Sequence, residues 1–76
     1  FTKEINIHYG VFQKSSVGIF IYDVNGQIVD IIEEQVLEPN KYSSSWIVKK
    51  NIFSGYYFIA IKINDLHVHH VKVFKK

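Results

Sequence analysis

Apolar residues in this chain recur at every second position, and turn-forming residues cut the alternation into short runs. Glu4-Ile5-Asn6-Ile7-His8-Tyr9 alternates, and so does Val17-Gly18-Ile19-Phe20-Ile21-Tyr22-Asp23. A period of two sends successive side chains to opposite faces, so each run reads as a strand with one face inward. Residues 10–16 between them read as a loop. Asn25-Gly26 then predicts a hairpin with a type I′ turn, which needs positive φ at both central residues. Residues 27–33 form the returning strand. Within 30–37, Ile31, Ile32, Gln35 and Val36 have helical spacing, but the segment is short and has no cap, so it reads as strand running into loop.

Leu37-Glu38-Pro39-Asn40-Lys41 reads as a turn, because proline fixes one backbone angle and asparagine tolerates the left-handed region. Tyr42, Ser44 and Trp46 alternate with Ser43 and Ser45, the pattern of a half-buried strand with aromatic anchors. Lys49-Lys50-Asn51 breaks the pattern and Ser54-Gly55 makes a second turn. Residues 56–63 are rich in aromatic and β-branched side chains, which suits a central strand covered on both faces. Asn64-Asp65 turns the chain into a last strand, Leu66–Lys75. Its alternation slips between the pair Leu66, Val68 and the pair Val71, Val73. One extra residue near His69-His70, a β-bulge, restores a common face; the alternative is a strand buried on both sides. Strands at this spacing, without a convincing helix, predict an antiparallel sandwich. Val17, Ile19, Ile21, Tyr42, Trp46, Tyr57, Ile59 and Ile61 are its expected core. Val71 and Val73 are expected to anchor the last strand by burial.

With 76 residues and 47% hydrophobic side chains, the chain can build one small core and one domain, residues 1–76. It has no cysteine, which excludes disulfides and thiolate metal sites. The longest apolar stretch, 52–61, ends at Lys62 and is too short for a transmembrane segment. The first residue is Phe, which reads as a processed chain or a piece of a larger protein. The net charge of +2 conceals an asymmetry: residues 1–38 carry two lysines and six acids, residues 39–76 seven lysines and one acid. All nine basic residues are lysine. That weighs against base readout and bidentate phosphate binding, for which guanidinium is better shaped. The lysine-rich half favours an anionic surface.

Polar constellations are weak. His67 and His69 sit two apart on the last strand, with His8 as a third metal ligand, but no neighbouring carboxylate orients the rings. Solvated or packed histidines are the preferred reading. Ser43-Ser44-Ser45, the histidines and Asp23 supply the letters of a hydrolytic triad without a nucleophile elbow, so the serines read as a solvent face. Glu33 and Glu34 are neighbours on a strand and point apart. Tyr56-Tyr57-Phe58 with Lys62 and Lys72 has the mix of rings and cations found on single-strand nucleic-acid surfaces, yet the core needs most of those rings. No catalytic, cofactor or metal residue and no nucleic-acid partner is assigned.

The turn grammar is more specific. The stretch 17–29 with its IYDVNGQIV hairpin, the stretch 37–46, SGYYFIAI at 54–61, and the lysine-ended strand Val71-Lys72-Val73-Phe74-Lys75-Lys76 stand in order along nearly the whole chain. Together they resemble the C-terminal sorting domain of cargo exported by the type IX secretion system of Bacteroidetes, and a related immunoglobulin-like domain of the flagellar hook-capping protein. The chain departs from the family at Asn40, where glycine is usual, and at Ile47-Val48, where Asp-Gly is frequent. The resemblance implies an immunoglobulin-like antiparallel β-sandwich of six or seven strands, seven being the family's number, with no catalysis. It implies a non-catalytic sorting signal on a larger secreted or cell-surface protein, joined covalently to an N-terminal cargo domain. Its implied partners are type IX translocon components and a sortase-like cysteine endopeptidase, met by way of the periplasm and outer membrane. Gly26, Pro39, Tyr42, Gly55 and Tyr57 match fold-setting positions, with Trp46 beside them as an anchor. Lys72, Lys75 and Lys76 match the terminal signal region. The rival readings are an immunoglobulin-like accessory module and a carbohydrate- or nucleic-acid-binding domain.

Overall fold

The computed structural model describes residues 3–48 and 52–76, and of residues 67 and 68 the backbone alone. Its elements are strands: β1 (Glu4–Val11), β2 (Ser15–Tyr22), β3 (Ile28–Leu37), β4 (Asn40–Ile47), β5 (Gly55–Ile63) and β6 (Leu66–Lys75). They form two antiparallel sheets, the pair β1-β4 and a four-stranded sheet in the order β3-β2-β5-β6. The expected all-β sandwich is present, with six strands among the described residues. Lys49, Lys50 and Asn51, where the sequence pattern breaks, lie outside those residues.

The core follows the period-two reading. Ile19 faces Ile61 and Ile21 faces Ile59 across the β2–β5 ladder. Opposite residues share a face, so these side chains meet on one side of the sheet. Val17, Tyr57, Ile7, Val11 and Trp46 complete the buried cluster, and Trp46 keeps no exposed surface. Tyr42 is half-buried against the same cluster. Val11 belongs to β1 rather than to a loop, because the β1–β4 ladder continues through Gly10 opposite Lys41 to Val11 opposite Asn40.

Three further expectations are corrected. β3 does not run into a loop after Glu33; it stays paired to Leu37 opposite Ser15. Its register with β2 shifts twice, leaving Ile32 and Val29 as extra residues, and both pack against the core. Bulges of this kind place two residues opposite one and break the alternation that sequence reading relies on.

The Asn25-Gly26 turn is not type I′. Gly26 has φ +82°, but Asn25 is not among the residues with positive φ. The Asp23 carbonyl accepts from the Gly26 amide at 3.1 Å, and the Asp23 amide donates to the Gln27 carbonyl at 3.0 Å. This is a three-residue loop ending in a glycine bulge. Asp23 dictates it: its Oδ1 accepts from the amides of Asn25 (2.9 Å) and Gln27 (3.0 Å). The two consecutive positive angles of a type I′ turn occur instead at Asn64 (53°) and Asp65 (66°). Asn64 Oδ1 also accepts from the Ser16 amide at 3.0 Å, which ties the β5–β6 turn to the start of β2.

In β6 the expected bulge exists. His67 pairs with Lys62 and His69 with Ile61, so Val68 is the extra residue, directly before His69-His70. Leu66, Val71 and Val73 thereby pair with inward residues of β5. Burial does not follow in full, because two strands opposite four cannot cover all four. Val73 packs on the core, but Val71 is 38% exposed and Leu66 69%.

Gly26 has nothing within 4 Å of an added Cβ, so substitution there strains only the backbone. Gly26→Val is expected to cost about 1 kcal/mol or more, and Gly26→Asn clearly less, since asparagine enters the left-handed region more readily. Urea unfolding of the two variants measures this; equal midpoints would contradict the assignment.

Candidate functional site

The residues singled out by sequence fall into two groups: anchors that shape the sandwich, and lysines at the end of β6. Gly55 opens β5 with φ +140°, an angle that side-chain-bearing residues rarely adopt. Two residues on, Tyr57 is buried edge-on against Trp46, ring centroids 5.6 Å apart. Its hydroxyl donates to the Phe53 carbonyl at 2.7 Å, four residues upstream. Tyr42 repeats the device, donating to the Glu38 carbonyl across Pro39 while its ring stacks on Tyr9 at 5.7 Å. Each tyrosine thus buries a ring and ties its strand to the turn before it, so its polar tip is satisfied at the rim of the core. Burial raises the Tyr57 phenol pKa above its ordinary value, and the negative charge of Asp23 adds to the shift.

The anchored strand β5 carries β6 in antiparallel register, Phe58 opposite Lys72 and Gly55 opposite Lys75. Lys72 and Lys75 therefore emerge on opposite faces. The Lys72 ammonium lies 4.5 Å from the centroid of the Tyr56 ring, and Tyr56 meets Phe74 edge-on at 5.0 Å. Lys75 Nζ donates to the Lys76 carbonyl at 3.1 Å. Lys72 and Lys76 are exposed and Lys75 half-buried. The ion pair among the described residues joins Lys14 and Glu38, so no Asp or Glu side chain there pairs with Lys72, Lys75 or Lys76. A second cation–ring contact, Lys62 over Phe20 at 5.3 Å, lies on the outer face. Gly18 makes room for it, since a Cβ there would collide with the Phe20 ring.

The other constellations are dispersed. The extra residue at 68 breaks the two-residue alternation that put His67 and His69 on one face. His69 and His8 do line one cleft of about 600 Å³ between the sheets, beside Val11, Ile61, Ile63 and Leu66. Among the described residues no three potential metal ligands cluster. Ser45 Oγ donates to Asn6 Oδ1 at 2.7 Å, and Ser44 lies 3.4 Å from the Tyr9 hydroxyl, while the Asp23 carboxylate is committed to its turn. The serine letters are cross-strand partners. Among the described residues no helix is long and apolar enough to cross a membrane.

One protein-family model, described as a secretion system C-terminal sorting domain, matches residues 1–76. The chain belongs to that family. No curated protein and no solved structure matches it. The sorting domain is the signal for type IX secretion, and it marks proteins that Bacteroidetes export to the cell surface or release. Family membership implies a non-catalytic role. Sequence reading missed Asp23, whose place before Val24-Asn25-Gly26 was the available signal, and Asn64, whose reach to Ser16 had none.

The raised Tyr57 pKa has a signed consequence. The folded chain holds the phenolic proton more tightly than the unfolded one, so the contribution is present below about pH 10 and lost as pH rises through the folded value. At neutral pH, Tyr57→Phe is expected to lose roughly 0.5–1.5 kcal/mol with the hydrogen bond to Phe53. Above pH 10 the gap between wild type and variant should narrow. Denaturant titrations at pH 7 and pH 11 test this, and an unchanged gap would contradict it.

Proposed function

We propose that this sorting domain is the C-terminal domain of a larger secreted protein, covalently joined to an N-terminal cargo domain, and that type IX translocon components contact the lysine end of β6. In this reading Lys72, Lys75 and Lys76 are the contacted residues, while Gly26, Pro39, Tyr42, Trp46, Gly55 and Tyr57 set the fold that presents them. A sortase-like cysteine endopeptidase then separates cargo from domain. The observation that supports it best is the set of three lysines with no acidic partner among the described residues, at the end of an edge strand.

The test fuses the domain to a reporter carrying a signal peptide in a type IX-competent bacterium. The intact fusion is expected at the cell surface. Lys72→Gln, Lys75→Gln and Lys76→Gln together should leave most reporter in the periplasm, while each exposed substitution moves stability by no more than about 0.5 kcal/mol. An intact, folded fusion retained in the periplasm would overturn the proposal. Full export of the triple variant would overturn the lysine assignment.

A further inference from the structure

An antiparallel sheet that packs one face on a core ordinarily turns a polar face to solvent. The four-stranded sheet departs from this across β3, β2 and β5. Residues opposite one another in a ladder share a face, so Ile28, Ile31 and Val36 of β3 lie on the outer side with Phe20 and Tyr22 of β2, and Phe58 of β5 beside Tyr22. The three β3 side chains are 49–58% exposed, and the three rings are half-buried. Contiguous apolar surface of this kind marks an interaction site. A charged row crosses the patch. Glu34 and Lys62 both pair with Gly18, one from each side. They are not ion-paired with each other: the ion pair among the described residues joins Lys14 and Glu38, and the Lys62 ammonium stands over the Phe20 ring.

We propose that this outer face is covered by the same face of a second copy of the chain, stacked about a twofold axis that runs along β2. Aligned sheets pack about 10 Å apart with their side chains interdigitated. This axis lays β3 of one copy over β5 of the other and β2 over β2. Glu34 of each copy then meets Lys62 of the other, and Phe20 and Tyr22 meet their own counterparts. The row Glu34-Gly18-Lys62 is thus self-complementary, as a twofold interface requires. It also selects the orientation, because an axis across the strands would set Glu34 on Glu34 and Lys62 on Lys62. An anionic membrane would meet Glu34 with like charge. The patch spans three strands, less than a standard interface of about 1,600 Å², so association is expected in the upper micromolar range.

The test is sedimentation velocity of the 76-residue chain between about 10 μM and 1 mM at low salt, with urea midpoints to verify that every variant is folded. Wild type is expected to pass from monomer to dimer over this range. Glu34→Lys and Lys62→Glu each place like charges in both contacts, and each should weaken association about tenfold or more. The double variant exchanges the two signs and should restore wild-type association, as should an equimolar mixture of the two single variants. Monomer at every concentration would overturn the proposal, as would a double variant no stronger than the single ones. A chain that stays monomeric yet binds vesicles of anionic lipid would give the face to a membrane and overturn it too. Neither contact uses Lys72, Lys75 or Lys76, so the result is independent of the export assay.

Discussion

The edge-to-face contact between Trp46 and Tyr57 holds two sheets of unequal width together. A two-stranded sheet is marginal on its own in water and persists here by docking on a larger one. β1 and β4 are far apart in sequence, so no short turn assists them. Burying one indole removes about 200 Å² from water, worth roughly 5 kcal/mol. That is comparable to the whole net stability expected of so small a domain. Ile7 and Val11 add to the same contact from β1, and Tyr9 and Tyr42 stack at its margin. From Tyr57 the constraint passes along β5, whose other edge carries β6.

Much of this was legible in residue order. The alternation in 17–23 and 42–46 placed the buried faces of β2 and β4, and the inward position of Trp46 followed from Tyr42 and Ser44. The rest was hidden for physical reasons. β3 could not be followed to Leu37 because Val29 and Ile32 are bulge residues, and a bulge erases the period that marks a strand. The Asn-Gly pair pointed to a type I′ turn, but the carboxylate of Asp23, two residues before Asn25, captures two amides and selects a different loop. Val71 was expected to be buried on the evidence of its own strand. Its exposure depends on how many strands lie in the opposing sheet, which a local pattern does not encode. At the candidate site, the lysines were visible as composition, whereas the lack of an Asp or Glu partner for them among the described residues required the fold.

The charge asymmetry of the sequence acquires a place in the sheet. Three of the six acids of the first half, Asp30, Glu33 and Glu34, lie on β3 at one edge, and three lysines of the second half gather at the end of β6 on the other. β5 and β2 separate them, which keeps the two sets from neutralising each other. A sorting domain with this layout presents a folded, positively charged edge rather than a linear tail. The anchors and the lysines therefore act in series: Trp46 and Tyr57 hold β5, β5 holds β6, and β6 carries the charge.

The central claim is that the folded edge, not the terminal sequence alone, is the export signal. Trp46→Ala tests it most directly, because the change lies far from β6 in sequence and leaves every lysine in place. The substitution should cost roughly 3–5 kcal/mol, enough to unfold most of the domain. Surface display of a reporter fused to the Trp46→Ala domain, normalised to the amount of fusion in the cell, is the measurement. Loss of display together with loss of folding is the predicted result. Display at the wild-type level from an unfolded Trp46→Ala domain would show that the machinery reads the terminal residues as a linear peptide, and would contradict the account.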